Sequence, residues 1–219
     1  VVCFTAFAAF AEEATVVEET AVTEETTAAE EIAVAEETAE HVHCVCGGAP
    51  MGEAANHSCE NITWQPLPEG TTNFGKLAAG NYYLTGDVQV TAVTNITKDV
   101  KICLNGHNIT TSASRVFGNP RTASGKLTVT DCSYDAATKT WGGTITGGTS
   151  TYGTILYTHY SSTTNIYGGN WTGRGAQNRM GGLFVVAQDG APDTKDSAGN
   201  VTLKGTSDPT KASTLNIYG

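Results

Sequence analysis

The side chains best suited to chemistry are gathered between residues 41 and 64. The run reads His41-Val-His43-Cys44-Val-Cys46-Gly47-Gly48, and His57-Ser-Cys59 follows it. Tetrahedral zinc takes sulfur and nitrogen ligands that short turns present in close pairs. Cys44 with Cys46, and His57 with Cys59, form two such pairs, and Gly47-Gly48 would let the chain fold back around an ion. His41 and His43 are spare ligands. The Cys-x-Cys spacing departs from the common pattern with two residues between the cysteines. Four protein ligands would close the coordination sphere, so the expected metal is a structural zinc that staples the fold. The competing expectation is a disulfide from Cys59 to Cys44 or Cys46, with one thiol left over. Cys103 and Cys132 sit inside β phrases and are expected as inward core residues, because cysteine buries well.

A second group could contact carbohydrate. Trp171, Arg174 and Arg179 lie in one glycine-rich stretch, with Tyr157, His159 and Tyr160 a phrase earlier. An aromatic face stacks on a sugar ring, and a guanidinium fork accepts a uronate carboxylate through two hydrogen bonds. The bland alternative is a surface loop with an ordinary packing tryptophan. Catalysis has weaker support. Glycosidases need two positioned carboxylates, and no such pair stands out. Asp189, Asp193 and Asp196 share a loop at a spacing that matches no calcium site. His107 and His159 are isolated. Glycine runs lack the Gly-Lys-Ser/Thr of a phosphate-binding loop.

The elements that must position these residues follow from composition and pattern. The chain has 219 residues and a formal net charge of −10. Residues 12–40 hold eleven Glu and no Lys or Arg, so the rest is close to neutral. That balance excludes a basic nucleic-acid footprint. Glu-Glu pairs begin at 12, 18, 24, 30 and 36. A six-residue period winds around a helix instead of leaving an apolar stripe. Dense like charge without aromatics points to a disordered or weakly helical spacer over 12–40. Residues 1–11 are apolar and end in Ala9-Phe10-Ala11, which reads as the tail of a secretory signal peptide. They are too few to span a bilayer.

From residue 77 the character is β. Short phrases rich in Ile, Val, Thr and Tyr are bounded by Gly, Asn or Asp. Gly-Thr-Ile-Thr-Gly-Gly at 143–148, Asn-Ile-Tyr-Gly-Gly at 165–169 and Asn-Val-Thr-Leu-Lys-Gly at 200–205 are examples, and Asn-Ile-Tyr-Gly returns at 216–219. Repetition of this kind signals a solenoid. Alternation of apolar residues with Thr favours an all-β, parallel β-helix over an antiparallel β-sandwich. Leu104-Asn105-Gly106-His107-Asn108-Ile109 is expected as a corner between two strands. The predicted organisation is a signal-peptide remnant at 1–11, the acidic spacer at 12–40, a small Cys/His module at 41–64, a linker at 65–76 and the β-helix at 77–219. The last phrase suggests that further rungs follow in a longer chain.

Two stretches carry a resemblance: Gly80-Asn-Tyr-Tyr-Leu-Thr-Gly-Asp-Val88, and Ile102-Cys-Leu-Asn-Gly-His-Asn-Ile109. With the His43-Cys44-Val-Cys46-Gly-Gly patch, they resemble large secreted proteins of gut Firmicutes. These look like right-handed parallel β-helix proteins of the pectin-lyase-like superfamily, often described only as hypothetical or carbohydrate-binding. The resemblance covers roughly residues 41–219 and implies fold and location. It implies a secreted, cell-wall-associated protein and adds little about chemistry. The partner expected on the aromatic and arginine residues above is a polysaccharide or a host or cell-surface glycan. The expected role is adhesion or glycan binding without catalysis. The alternatives are a fragment of a polysaccharide lyase or glycoside hydrolase, and a structural stalk. No nucleic acid and no membrane span are expected.

Overall fold

The computed structural model describes residues 40–49, 59–119, 123–148, 154–159, 161–173, 183–186, 188–190, 194–203 and 207–218. The predicted leader and all but the last residue of the acidic spacer lie outside the described residues. Among those described, the secondary structure is β apart from one short 3-10 turn, Phe74–Lys76.

The chain enters as an antiparallel hairpin of β1 (Val42–Cys44) and β2 (Asn61–Thr63). β3 (Gln65–Pro66) follows and lies parallel to β4 (Gly80–Tyr83). The segment expected as a linker thus contributes a strand, and its Phe74 is fully buried. From β4 onward the strands come in threes. β4, β5 (Val88–Val90) and β6 (Thr94–Asn95) form the first pass. β7 (Asp99–Cys103), β8 (Ile109–Thr111) and β9 (Phe117–Gly118) form the second. β10 (Lys126–Thr130), β11 (Thr144–Thr146) and β12 (Leu156–Thr158) form the third. β13 (Thr163–Ile166), β14 (Asn170–Thr172) and β15 (Phe184–Val186) form the fourth.

Each pass gives one strand to each of three sheets. The sheet orders are β3-β4-β7-β10-β13-β20, β5-β8-β11-β14 and β6-β9-β12-β15, where β20 is Thr214–Ile217. Every pairing in these three sheets is parallel, which an antiparallel sandwich is not. The excursion before β20 is built differently. β16 (Gln188–Gly190) pairs antiparallel with β19 (Ser207–Ala212), and β17 (Thr194–Lys195) with β18 (Val201–Leu203). Val201–Leu203 of the phrase at 200–205, which reads as a further rung, therefore lies outside the parallel sheets. Its alternation is equally consistent with a hairpin arm.

Side-chain alternation aligns the core from strand to strand. Tyr82, Ile102, Val129 and Ile166 share one register position across β4, β7, β10 and β13. All four are buried, and Val100 beside Leu127 repeats the pattern two residues earlier on β7 and β10. Burying one such aliphatic chain contributes about 1.5–3 kcal/mol. On the opposite face Asn81, Lys101, Thr128, Asn165 and Asn216 occupy a single register position. Lys101 Nζ donates to Asn81 Oδ1 at 3.1 Å, and Asn216 Nδ2 to Asn165 Oδ1 at 2.8 Å. The repeated Asn-Ile-Tyr phrase stacks on its own copy: Tyr167 and Tyr218 lie with centroids 4.6 Å apart and planes 10° from parallel.

The expected corner between β7 and β8 is present. Asn105 (φ 50) and Gly106 (φ 78) carry consecutive positive φ values, and His107 N donates to Leu104 O at 2.9 Å. Asn-Gly is the pair that tolerates this backbone at least cost. Asn105 Nδ2 donates to Leu84 O at 3.0 Å, tying the corner to the pass before it.

Candidate functional site

Alternation along β7 decides where the chemistry gathers. Ile102 and Leu104 point into the core, so Cys103 between them faces outward. It is nevertheless completely buried, because the N-terminal hairpin covers it. This differs from the inward position expected for Cys103 from sequence. Gly47 explains how the hairpin comes so close. Its φ is +65, and a Cβ there would stand 2.5 Å from Thr130 Oγ1 of β10. Any other residue would lift the turn away from the sheet.

His41 and His43 are two apart at the start of β1, so both rings leave the same face. The His41 ring stacks on Tyr83, with centroids 4.3 Å apart and an 18° interplanar angle. The His43 ring stacks on Trp64 at 4.8 Å and 5°. Their Nε2 atoms are 2.9 Å apart. Cys132 Sγ lies 3.9 Å from His41 Nε2 and donates to Asn105 Oδ1 at 3.3 Å. The ligand atoms of His41, His43, Cys103 and Cys132 all fall within 4.8 Å of one another. These residues could hold a metal ion.

Burial lowers the pKa of both histidines. For His43 the neighbouring His41 charge adds to this, and a backbone hydrogen bond at Cys44 opposes it. The two cysteines behave as a pair. Their mutual hydrogen bond, and then burial, pushes the Cys103 thiol up, while the same bond holds Cys132 down.

The patch singled out from sequence lies at the other end of the hairpin. Cys44 and Cys59 form a disulfide with Cα atoms 5.4 Å apart. Cys46 Sγ sits 3.4 Å from each of their sulfurs. The structure thus brings Cys44, Cys46 and Cys59 together as a second group able to hold a metal, with two of the three sulfurs joined. His57, the proposed fourth ligand, lies outside the described residues.

Of the expected carbohydrate contacts, Arg174 and Arg179 also lie outside the described residues. Trp171 is half-buried at the register position of Ile145 on the neighbouring strand. Its ring packs 5.3 Å from Phe184 and 6.4 Å from Phe117, and its Nε1 donates to Gly168 O at 3.1 Å. Much of its surface is therefore engaged in packing. Tyr157 is half-buried on β12, with its ring 4.2 Å from that of His159. Arg115 was not anticipated. Its guanidinium carbon lies 4.8 Å from the Tyr157 ring centroid, and its Nε is buried with no partner among the described residues. A lone arginine in a Ser-Arg-Val context gives no sequence signal for this pairing; it depends on β9 and β12 being adjacent.

Among the described residues, no helix is long and apolar enough to cross a membrane. No family model, no curated protein and no solved structure matches the chain.

Proposed function

We propose that the chain is a secreted or cell-surface right-handed parallel β-helix protein that binds acidic glycan without catalysing its cleavage. Support for the β-helix comes from the three parallel sheets visited in fixed order. Crossovers between parallel strands of one sheet are right-handed almost without exception. The apolar leader of the sequence supports export, and the Cys44–Cys59 disulfide accords with an oxidising compartment.

The observation that carries the ligand reading is the Arg115–Tyr157 stack with its unsatisfied Nε donor. A buried donor left without an acceptor costs about 1–3 kcal/mol. A carboxylate that displaced the atoms covering Nε would recover that energy through a charge-assisted bond. Uronate sugars bring the carboxylate together with an apolar ring face suited to aromatic contact. Arg174, Arg179 and Trp171 extend the same proposal along the glycine-rich stretch that follows. At the Cys/His patch the disulfide has the stapling role. In a reduced chain, Cys44, Cys46, Cys59 and His57 would offer zinc a tetrahedral set in its place.

A glycan array probed with the full chain tests the reading. Binding to uronate-bearing polysaccharides is expected, falling at least about ten-fold in Arg115→Ala, the loss of one charge-assisted bond. Absence of binding to every acidic polysaccharide would contradict it. Release of unsaturated uronate or new reducing ends would replace it with the lyase or hydrolase reading.

A further inference from the structure

We propose that His41, His43, Cys103 and Cys132 bind one zinc ion, which pins the N-terminal hairpin to the first parallel sheet. The four residues come from distant parts of the chain. His41 immediately precedes β1 and His43 is its middle residue, Cys103 ends β7, and Cys132 follows β10 by two residues. His41 and Cys132 are 91 residues apart. Sequence proximity selects a different quartet, and only the fold assembles this one.

Two ligand-to-ligand separations lie near those of a tetrahedral centre, and all four ligand atoms lie within 4.8 Å of one another. Zinc bonds of about 2.3 Å to sulfur and 2.0–2.1 Å to nitrogen set ligand-to-ligand edges of roughly 3.3–3.8 Å. The Nε2–Nε2 separation of 2.9 Å and the Sγ–Nε2 separation of 3.9 Å bracket those values. Small rotations about the side-chain bonds would equalise them. Binding takes two neutral imidazoles and two thiols, and the thiols release two protons. The resulting two thiolates balance the charge of Zn2+, so a buried centre carries no net charge. Soft sulfur with imidazole in four-coordination selects zinc over magnesium or calcium.

The surroundings hold the ligands in place. Tyr83 and Trp64 fix the two imidazole planes by stacking. Cys132 donates to Asn105 Oδ1 only while its thiol is protonated, and it gives up that bond to the metal; Asn105 itself stays fixed in the corner after β7 by its bond to Leu84 O. A Cys103–Cys132 disulfide is the competing use of these sulfurs. It would leave the two imidazole nitrogens with only their mutual 2.9 Å contact. The neighbouring trio of Cys44, Cys46 and Cys59 is less suited, because two of its sulfurs are already bonded to each other.

Zinc content of the purified full chain, measured by mass spectrometry of the metal after dialysis, tests the site. One zinc per chain is expected. Cys132→Ser and His41→Gln should each lower zinc retention at least ten-fold, since even an outer partner of a metal ligand is worth about 10–100-fold. Cys46→Ser should retain it. A second readout does not depend on variants folding. Cobalt(II) added to the metal-free wild-type chain should give thiolate-to-cobalt charge-transfer absorption and the intense visible bands of tetrahedral coordination. Three results would overturn the proposal: a wild-type chain that takes up neither metal, zinc lost in Cys46→Ser but kept in Cys132→Ser, or a Cys103–Cys132 disulfide found by peptide mapping.

Discussion

Asp131 shows how a single residue organises the stack. It is fully buried just after β10. Its carboxylate accepts from Gly106 N at 3.0 Å, Ser133 N at 3.1 Å, Ser133 Oγ at 2.6 Å and Gly143 N at 2.8 Å. One side chain thus satisfies backbone donors in two successive passes. Asp131→Ala would strand those donors and should cost at least about 2 kcal/mol, read from the urea unfolding midpoint. Asp131→Asn keeps one acceptor oxygen and should recover part of the loss. Nothing in the sequence marks Asp131 as buried, since its partners become neighbours only after the passes stack. The same limit applies to the cysteines. Cys44, Cys46 and Cys59 were legible as a cluster because they are close along the chain. Cys103 and Cys132 were not, because their convergence with His41 and His43 depends on the register of β7 with β10 and on the hairpin lying over both.

At the scale of elements, the short strands and the Asn-Gly corner were readable from composition. β-branched and aromatic runs closed by Gly or Asn became strands, and the recurring Asn-Ile-Tyr phrase marked β13 and β20, which pair in register. The phrase at 200–205 misled because period-2 alternation does not distinguish a rung from a hairpin arm. Trp171 belongs to the element scale too, as a packing residue of β14. Trp171→Ala should destabilise the fold by about 2 kcal/mol, below the range for a fully buried tryptophan. Corners also make the fold sensitive to acid. Asp87 accepts from Asn108 N at 2.8 Å, and this bond above all holds its carboxyl below the ordinary value of 3.8. Near that pH the unfolded chain binds more protons than the folded one. The contribution is therefore present above about pH 4 and is lost as pH falls through the lower folded value. Asp87→Asn should flatten the acid limb of the stability profile, measured by thermal unfolding between neutral pH and pH 3.

At the scale of the molecule, the passes lengthen along the chain. Stacked partners are separated by 20 residues at Asn81–Lys101, 27 at Asn105–Cys132, 37 at Gly125–Ser162 and 51 at Asn165–Asn216. The strands keep their register while the turns between them grow. This is why the sequence shows recurring phrases without a fixed period, and why the number of parallel strands per sheet could not be counted from it. Turns are the tolerant part of such a scaffold, since added loop length costs little, so variable ligand contacts belong there. Arg115 stands in the turn between β8 and β9, and the glycine-rich stretch with Arg174 and Arg179 follows β14. A face built this way would recognise charge and ring shape together. The direct measurement is calorimetric titration of the full chain with polygalacturonate and with the same polymer after reduction of its carboxyl groups. Binding to the native polymer that is lost on carboxyl reduction, and weakened by Arg115→Ala, is the predicted result. Equal binding to both polymers, or to neither, would contradict an acidic-glycan face.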